Sequence, residues 1–315
     1  MIFCVIIVIT ISTQSEKTMN DYILLLLADL LLSINFAFNK IYQWRAGASL
    51  SAGFTFSAIC GGFTALAFLI YNGFNFAFTF FSAMMAVLLS LLGTSYLLIG
   101  FRIIRRKGVS LYTLFLMTGG MTIPYLFGIF FLDEPFSPMR LVGLGIIIFG
   151  VCFSGFGKEK LDKTTLLLCA AVFLLNGAVS VVSKLHSISV LSVAPEEFVV
   201  LSGIVSCIVN AILRFSIKFD SPKNENPSTS ASRCNTLFTF VLIPALSALA
   251  GGASSVLQLT GAQTIDASLL YPFITGGSIV LTTVTGWFLF KEKISKNILI
   301  GVGCTLLGTL LFLKI

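Results

Sequence analysis

Asp29 interrupts the apolar run LLLLADLLLSI over residues 24–34, the one place where an acid stands deep inside such a run. Counted along a helix it lies about 10 Å from Tyr22. A carboxyl at that depth costs about 2.5–3.5 kcal/mol to insert in a membrane, so it must face a cavity or a partner. Two roles suit it: a proton-coupling carboxylate, or a neutral, hydrogen-bonded acid that fixes helix packing. Lys40, eleven residues on, stands about 16 Å away along the same helix, too far for an ion pair. Lys40 and Lys184 end corresponding helices. Each is explained either by snorkelling to an interface or by a place at a cavity mouth that attracts anionic groups.

Polar residues also recur at helical spacing. Asn176, Ser180, Ser183 and Ser187 form one stripe, and Ser202, Ser206 and Asn210 a second. Ser247, Gly251, Ser254 and Gln258 form a third, and Tyr271, Thr275, Ser278 and Thr282 a fourth. One such stripe serves as interhelical glue worth about 1 kcal/mol or less per bond. Four on different helices argue for a shared wet interior, which makes Lys40, Asn176, Ser180, Lys184, Asn210, Gln258, Tyr271 and Thr275 the candidate lining residues. Catalytic chemistry is not expected. His186, the sole histidine, reads as a solvated loop residue, the seven cysteines have no paired or metal-ligand spacing, and no phosphate-cradling Gly-Lys motif occurs. Neither a metal nor a cofactor is implied.

The elements that must carry these residues follow from composition. Hydrophobic residues make up 57% of the 315, charged residues 10%, and the mean hydropathy is +1.00. A helical crossing needs about 20 apolar residues. Ten such segments can be drawn, at roughly 21–40, 50–71, 79–101, 109–132, 138–157, 164–184, 195–217, 236–258, 266–290 and 296–313. The expected fold is an all-α polytopic membrane protein. The net charge of +7 comes from short basic clusters between apolar runs and is no nucleic-acid footprint. The partners implied are the lipid bilayer, a small-molecule substrate and protons; a homodimer is compatible with such a chain.

The chain repeats itself. An offset of 158 lays residues 110–151 on 268–309 without a gap, matching Gly119 with Gly277, Glu134 with Glu292, Ser137 with Ser295, Gly143 with Gly301 and Gly150 with Gly308. Earlier segments align at an offset of 144, Lys40 on Lys184. The difference is about what the Ser-, Pro- and Asn-rich loop 218–235 inserts. Each half then has five crossings, 21–157 and 158–315. An odd number inverts the second half, a pattern typical of secondary transporters. Within it, LDEPFSP and FKEKISK are corresponding turns, so Glu134 and Glu292 are assigned a structural job at helix junctions. Pro135 and Pro138 stop one helix and permit the next.

These paired units, LDEPFSPMRLVGLGIIIFGV and FKEKISKNILIGVGCTLLGT, resemble the ten-helix EamA-like branch of the drug/metabolite transporter superfamily. LSINFAFNK in the first helix matches that branch at Asn35, Phe36 and Lys40, with Leu32 and Ser33 where a Trp-Gly pair is common. The resemblance runs from Asp21 to Leu313. It implies alternating-access transport of small metabolites or drug-like solutes through a central cavity lined from both halves, and it adds Asn35 to the lining. An exporter or exchanger in the cytoplasmic membrane of a bacterial cell is the expectation, and a flippase for a lipid-linked substrate is the alternative.

Basic residues set an orientation. Sixteen of the twenty, among them Arg102, Arg105, Arg106 and Lys107, fall in odd-numbered connections, which the positive-inside rule puts in the cytoplasm with both termini outside. The family resemblance implies both termini inside. Residues 1–20 form a tail; its apolar start MIFCVIIVITIS is too short to span, so translation from Met19 is expected, with an interfacial segment as the alternative.

Overall fold

A computed structural model describes residues 16–46, 49–107, 109–155, 162–216, 238–291 and 296–312. The described chain is helical, with no strand among the described residues. In order come α1 (Glu16–Ala46), α2 (Leu50–Tyr71), α3 (Phe80–Lys107), α4 (Val109–Phe131), α5 (Pro138–Gly155), α6 (Lys163–Ile188) and α7 (Pro195–Ser216). A π-helical turn (Phe238–Leu242) leads into α8 (Ile243–Thr264), followed by α9 (Ala267–Phe290) and α10 (Lys296–Phe312). Among the described residues, eight helices are long and apolar enough to cross a membrane, and α5 and α10 are shorter. The chain is a polytopic membrane protein by that measure. Glu292 and the loop 218–235 lie outside the described residues.

Several helices run past their apolar segments. α1 continues through Lys40 to Ala46 and α3 through Arg102 to Lys107. Lysine, arginine and glutamine are good helix formers, and cations are favoured at the negative end of the helix dipole, so hydropathy alone ends these helices too early. α6 extends to Ile188, which corrects the loop assignment of His186. The imidazole is buried in the last turn of α6, its ring 3.5 Å from that of Phe198 and its Nε2 3.0 Å from Ser82 Oγ.

Local chemistry fixes several ends. Ser49 accepts the Ala52 N–H to start α2, Thr79 the Ser82 N–H to start α3, and Asp162 the Thr165 N–H to start α6. The turn after α4 uses Asp133 in the left-handed region (φ 53°), with the Glu134 N–H closing back on Gly128 O at 3.1 Å. Ser137 then receives the Arg140 N–H, and Pro138 opens α5.

Packing divides the helices into a cavity-forming group and a backing pair. α5 lies along α10, and both support α4 and α9. The largest apolar cluster, with Tyr22, Met121, Tyr125, Ile147, Phe273 and Phe312, fills the space between these helices and α1. α1 packs on α8 and α9, α6 on α3 and α4, and α2 on α7. Three crossings bring backbones into contact at glycine, one of them α4–α6, where a Cβ on Gly119 would run into the Phe173 carbonyl. A Cβ at Gly61 would lie 2.7 Å from Gly203 O, and one at Gly203 would lie 2.8 Å from Gly61 O. On the α5–α10 crossing, Gly143 and Gly308 face each other in the same reciprocal way, and Gly150 faces Gly301 O. Such approach is the usual means of joining helices in lipid.

Candidate solute cavity

Two neighbouring chambers, of about 530 and 350 Å³, share Leu32, Leu89, Tyr96, Val199, Ser202 and Ser255 and so form one continuous space. Its walls come from α1–α4 and α6–α9. The larger chamber holds Asn35 and Asn210, and the smaller holds Asn176, Ser180, Gln258, Tyr271 and Thr275. No charged side chain lines either chamber among the described residues.

The polar groups also tie helices to one another. Asn35 Nδ2 donates to Ser247 O at 2.8 Å, joining α1 to α8. Asn176 Nδ2 donates to Leu116 O at 2.7 Å, and Ser180 Oγ to Gly120 O at 3.2 Å, joining α6 to α4. The α6 and α8 stripes thus serve packing and lining at once, whereas Ser202 and Asn210 of α7 and Ser278 and Thr282 of α9 bond within their own helices. Gly251 and Gly120 make room for this: a Cβ on either would run into the amide of Asn35 or Asn176.

Lys40 and Lys184 stand apart. Lys40 lines neither chamber but borders a further recess of about 160 Å³ with Ser33, Thr282, Thr285 and Phe36, the last of which also lines the smaller chamber. Lys184 lines neither chamber. It is 5% exposed, and its ammonium donates to Ala262 O at 2.8 Å and Ile265 O at 2.6 Å. It therefore satisfies the open carbonyls that end α8, and neither snorkelling nor a cavity-mouth position describes it. Glu134 does the complementary work at the start of α9, accepting the Ala267 N–H at 2.6 Å and the Ser268 N–H at 2.8 Å. Asp266, the N-cap residue of α9, makes no side-chain cap bond of its own and instead meets Arg140 at 3.4 Å. The sequence contains no local signal for these partners, because Glu134 and Lys184 act on a turn far along the chain.

That turn belongs to one closed end of the bundle. Glu197, also there, accepts the Ala77 N–H at 3.2 Å and the Ala194 N–H at 3.1 Å, and Thr79 Oγ1 donates to Leu191 O at 2.9 Å. The larger chamber extends the other way, through Asn39, Ser57, Leu97 and Asn210, toward the end where α1, α3 and α7 finish and α2 and α8 begin.

Asp29 lines neither chamber. It is fully buried in the α1–α9 interface against Gly277, where any Cβ would collide with the carboxyl. Both its oxygens lack a hydrogen-bond partner among the described residues. Four residues on, Ser33 Oγ meets Thr285 Oγ1 at 2.8 Å across the same interface.

A scan against protein-family models finds no match, and a search of curated proteins finds none either. Among solved structures, a crystal structure described only as that of a protein superposes with a TM-score of 0.69 at 16% identity. The likeness covers 93% of this chain and 96% of that one, so the two share a fold.

Proposed function

We propose that this chain is a secondary transporter of small solutes, an exporter or exchanger of the cell membrane that works by alternating access. The cavity carries the reading. Polar groups at membrane depth are costly unless they line a path or a site, and here they converge from seven helices on one space within an apolar bundle. That space is built from both halves of the chain, as in transporters with a site at the repeat interface.

Features of the packing support two inverted five-helix repeats, α1–α5 and α6–α10. Exchanging the halves turns the α1–α8 pairing into α6–α3, α1–α9 into α6–α4, and α2–α8 into α7–α3, and each partner pairing is present. The offset of 158 converts the Gly143–Gly308 approach into Gly301–Gly150, which also occurs. α5 and α10 rise about 27 and 26 Å, close to the hydrocarbon thickness, so they count as crossings despite their length. Together with the paired turn-and-glycine units, this favours membership of the EamA-like branch of the drug/metabolite transporter superfamily.

Asp29 is the coupling candidate. An unpartnered carboxylate buried in this way would cost several kcal/mol, so the packing suits the protonated acid. Proton release requires α1 and α9 to part. Flux into proteoliposomes under an imposed pH gradient tests the proposal across amines, polyols, amino acids and nucleosides. Solute movement that dissipates the gradient is the expected result. Folded protein that moves none of them would overturn it.

A further inference from the structure

The cavity wall has a direction of hydrogen bonding that follows from how its amides are held. Asn176 Nδ2 faces Leu116 O, Asn35 Nδ2 faces Ser247 O, and Asn210 Nδ2 faces Ser206 O, at 2.7, 2.8 and 2.8 Å. A backbone carbonyl only accepts, so each amide must turn its NH2 into the protein and its oxygen the other way. Gln258 Nε2 lies 2.9 Å from Ser254 Oγ, whose own hydrogen is committed to Ala28 O at 2.7 Å. Ser254 can then only accept from Gln258, and that amide is fixed in the same sense. The four amide oxygens have no protein partner among the described residues, and none is among the enclosed, unpartnered atoms. They are open to the cavity.

The wall serines agree. Ser183, Ser202 and Ser255 donate their hydroxyl hydrogens to the carbonyls of Val179, Val199 and Gly251 at 2.9, 3.1 and 2.9 Å. What they retain for a solute is lone pairs. Hydroxyls such as those of Tyr96 and Ser57 can turn either way, and Asn39, toward the open end of the larger chamber, keeps its NH2 free because its Oδ1 accepts from Gln43 Nε2 at 2.9 Å; the other four amides and the three serines all present acceptors. With no cationic side chain on the wall among the described residues, a phosphate or carboxylate entering the space would meet oxygen lone pairs and no counter-charge.

From this polarity we infer that the cavity selects solutes that carry several N–H or O–H donors and no negative charge, such as amines or polyols, and rejects anions. The inference rests on the reading of this cavity as the transport site. Donor-bearing groups satisfy the open oxygens, whereas anions leave them desolvated and repelled. A cation without N–H groups satisfies the charge preference but not the bonding.

The test uses the purified full chain. Binding is measured by calorimetry in detergent, and flux in proteoliposomes, with putrescine, ribitol, tetramethylammonium, glutarate and ribose 5-phosphate. Putrescine, ribitol or both should bind at least about tenfold more tightly than the two anions, and the one that binds names the amine or the polyol as the source of the donors. Tetramethylammonium should bind no better than the anions. Comparable affinity for either anion, equal affinity for tetramethylammonium and putrescine, or no binding by either donor-rich probe at millimolar concentration would overturn the inference. Binding with the expected preference but without flux would leave it standing and sink the transport reading alone. Ser202→Ala removes one acceptor whose own bond stays within α7, so it should keep the unfolding temperature and weaken the preferred probe several-fold. Unchanged affinity in this variant counts against the inference.

Discussion

Glu134 and Lys184 each complete a helix that lies more than 70 residues away in sequence. Removing the Glu134 carboxylate exposes two buried-end N–H groups at once, and losses of this kind run to about 1–3 kcal/mol. Glu134→Ala should therefore lower the unfolding temperature by several degrees, read from Trp44 and Trp287 fluorescence in detergent. Lys184→Met keeps the aliphatic stem but strands the carbonyls of Ala262 and Ile265, and should destabilise by a similar amount; Lys184→Arg should recover part of it. Asp29→Asn preserves shape and should leave that temperature nearly unchanged while abolishing the response of flux to a pH gradient. A variant that still follows the gradient would remove Asp29 from coupling. At this scale the sequence is informative about rank and silent about partners. Glu134 stands out because it recurs at 292, yet nothing local connects it with Ala267. Lys184 reads equally well as a snorkelling residue, because a lysine near a helix end looks the same whether that end meets water or another helix.

Helices were the most legible elements, since an apolar run long enough to span announces itself, and their ends were the least. α1 and α3 continue into basic sequence that hydropathy scores as loop, and His186 belongs to a helix whose last turn is polar but enclosed by Phe198 and Ser82. The crossings were half legible: glycines at matched positions pointed to close packing, but which helix each would meet depended on the assembled bundle. The α2–α7 crossing is the sharper case for experiment. Gly203→Val places its side chain against the Gly61 carbonyl, so the helices must separate. Overpacking of this kind costs about 1–3 kcal/mol. The variant should show a lower unfolding temperature and reduced flux, whereas Gly145→Ala, on α5 with no neighbour within 4 Å of the new Cβ, should alter neither.

The whole molecule has one bound end and one end toward which the cavity extends, and the second carries the basic connections. If the positive-inside rule governs this chain, the described conformation faces the cytoplasm. Asn39→Cys, in a background with the native cysteines replaced, should then react with a membrane-impermeant maleimide from the cytoplasmic side and be shielded by the transported solute. Labelling only from outside would reverse the orientation and agree with the placement of termini that the family resemblance implies. The cavity itself was legible as four polar stripes; its bonding direction was not, because an asparagine in a sequence does not say which way its amide points. The trans-acting caps also bear on how the protein is made. α8 and α9 leave the ribosome after Glu134 and Lys184, so the groups that finish their facing ends are already in the bilayer when those helices arrive. Synthesised as two separate fragments, the second half would carry Lys184 but not Glu134, and the start of α9 would stay incomplete until the fragments met. Order of synthesis thus puts both caps ahead of the helix ends they finish, and a circularly permuted gene that placed α8 and α9 first would reverse that order.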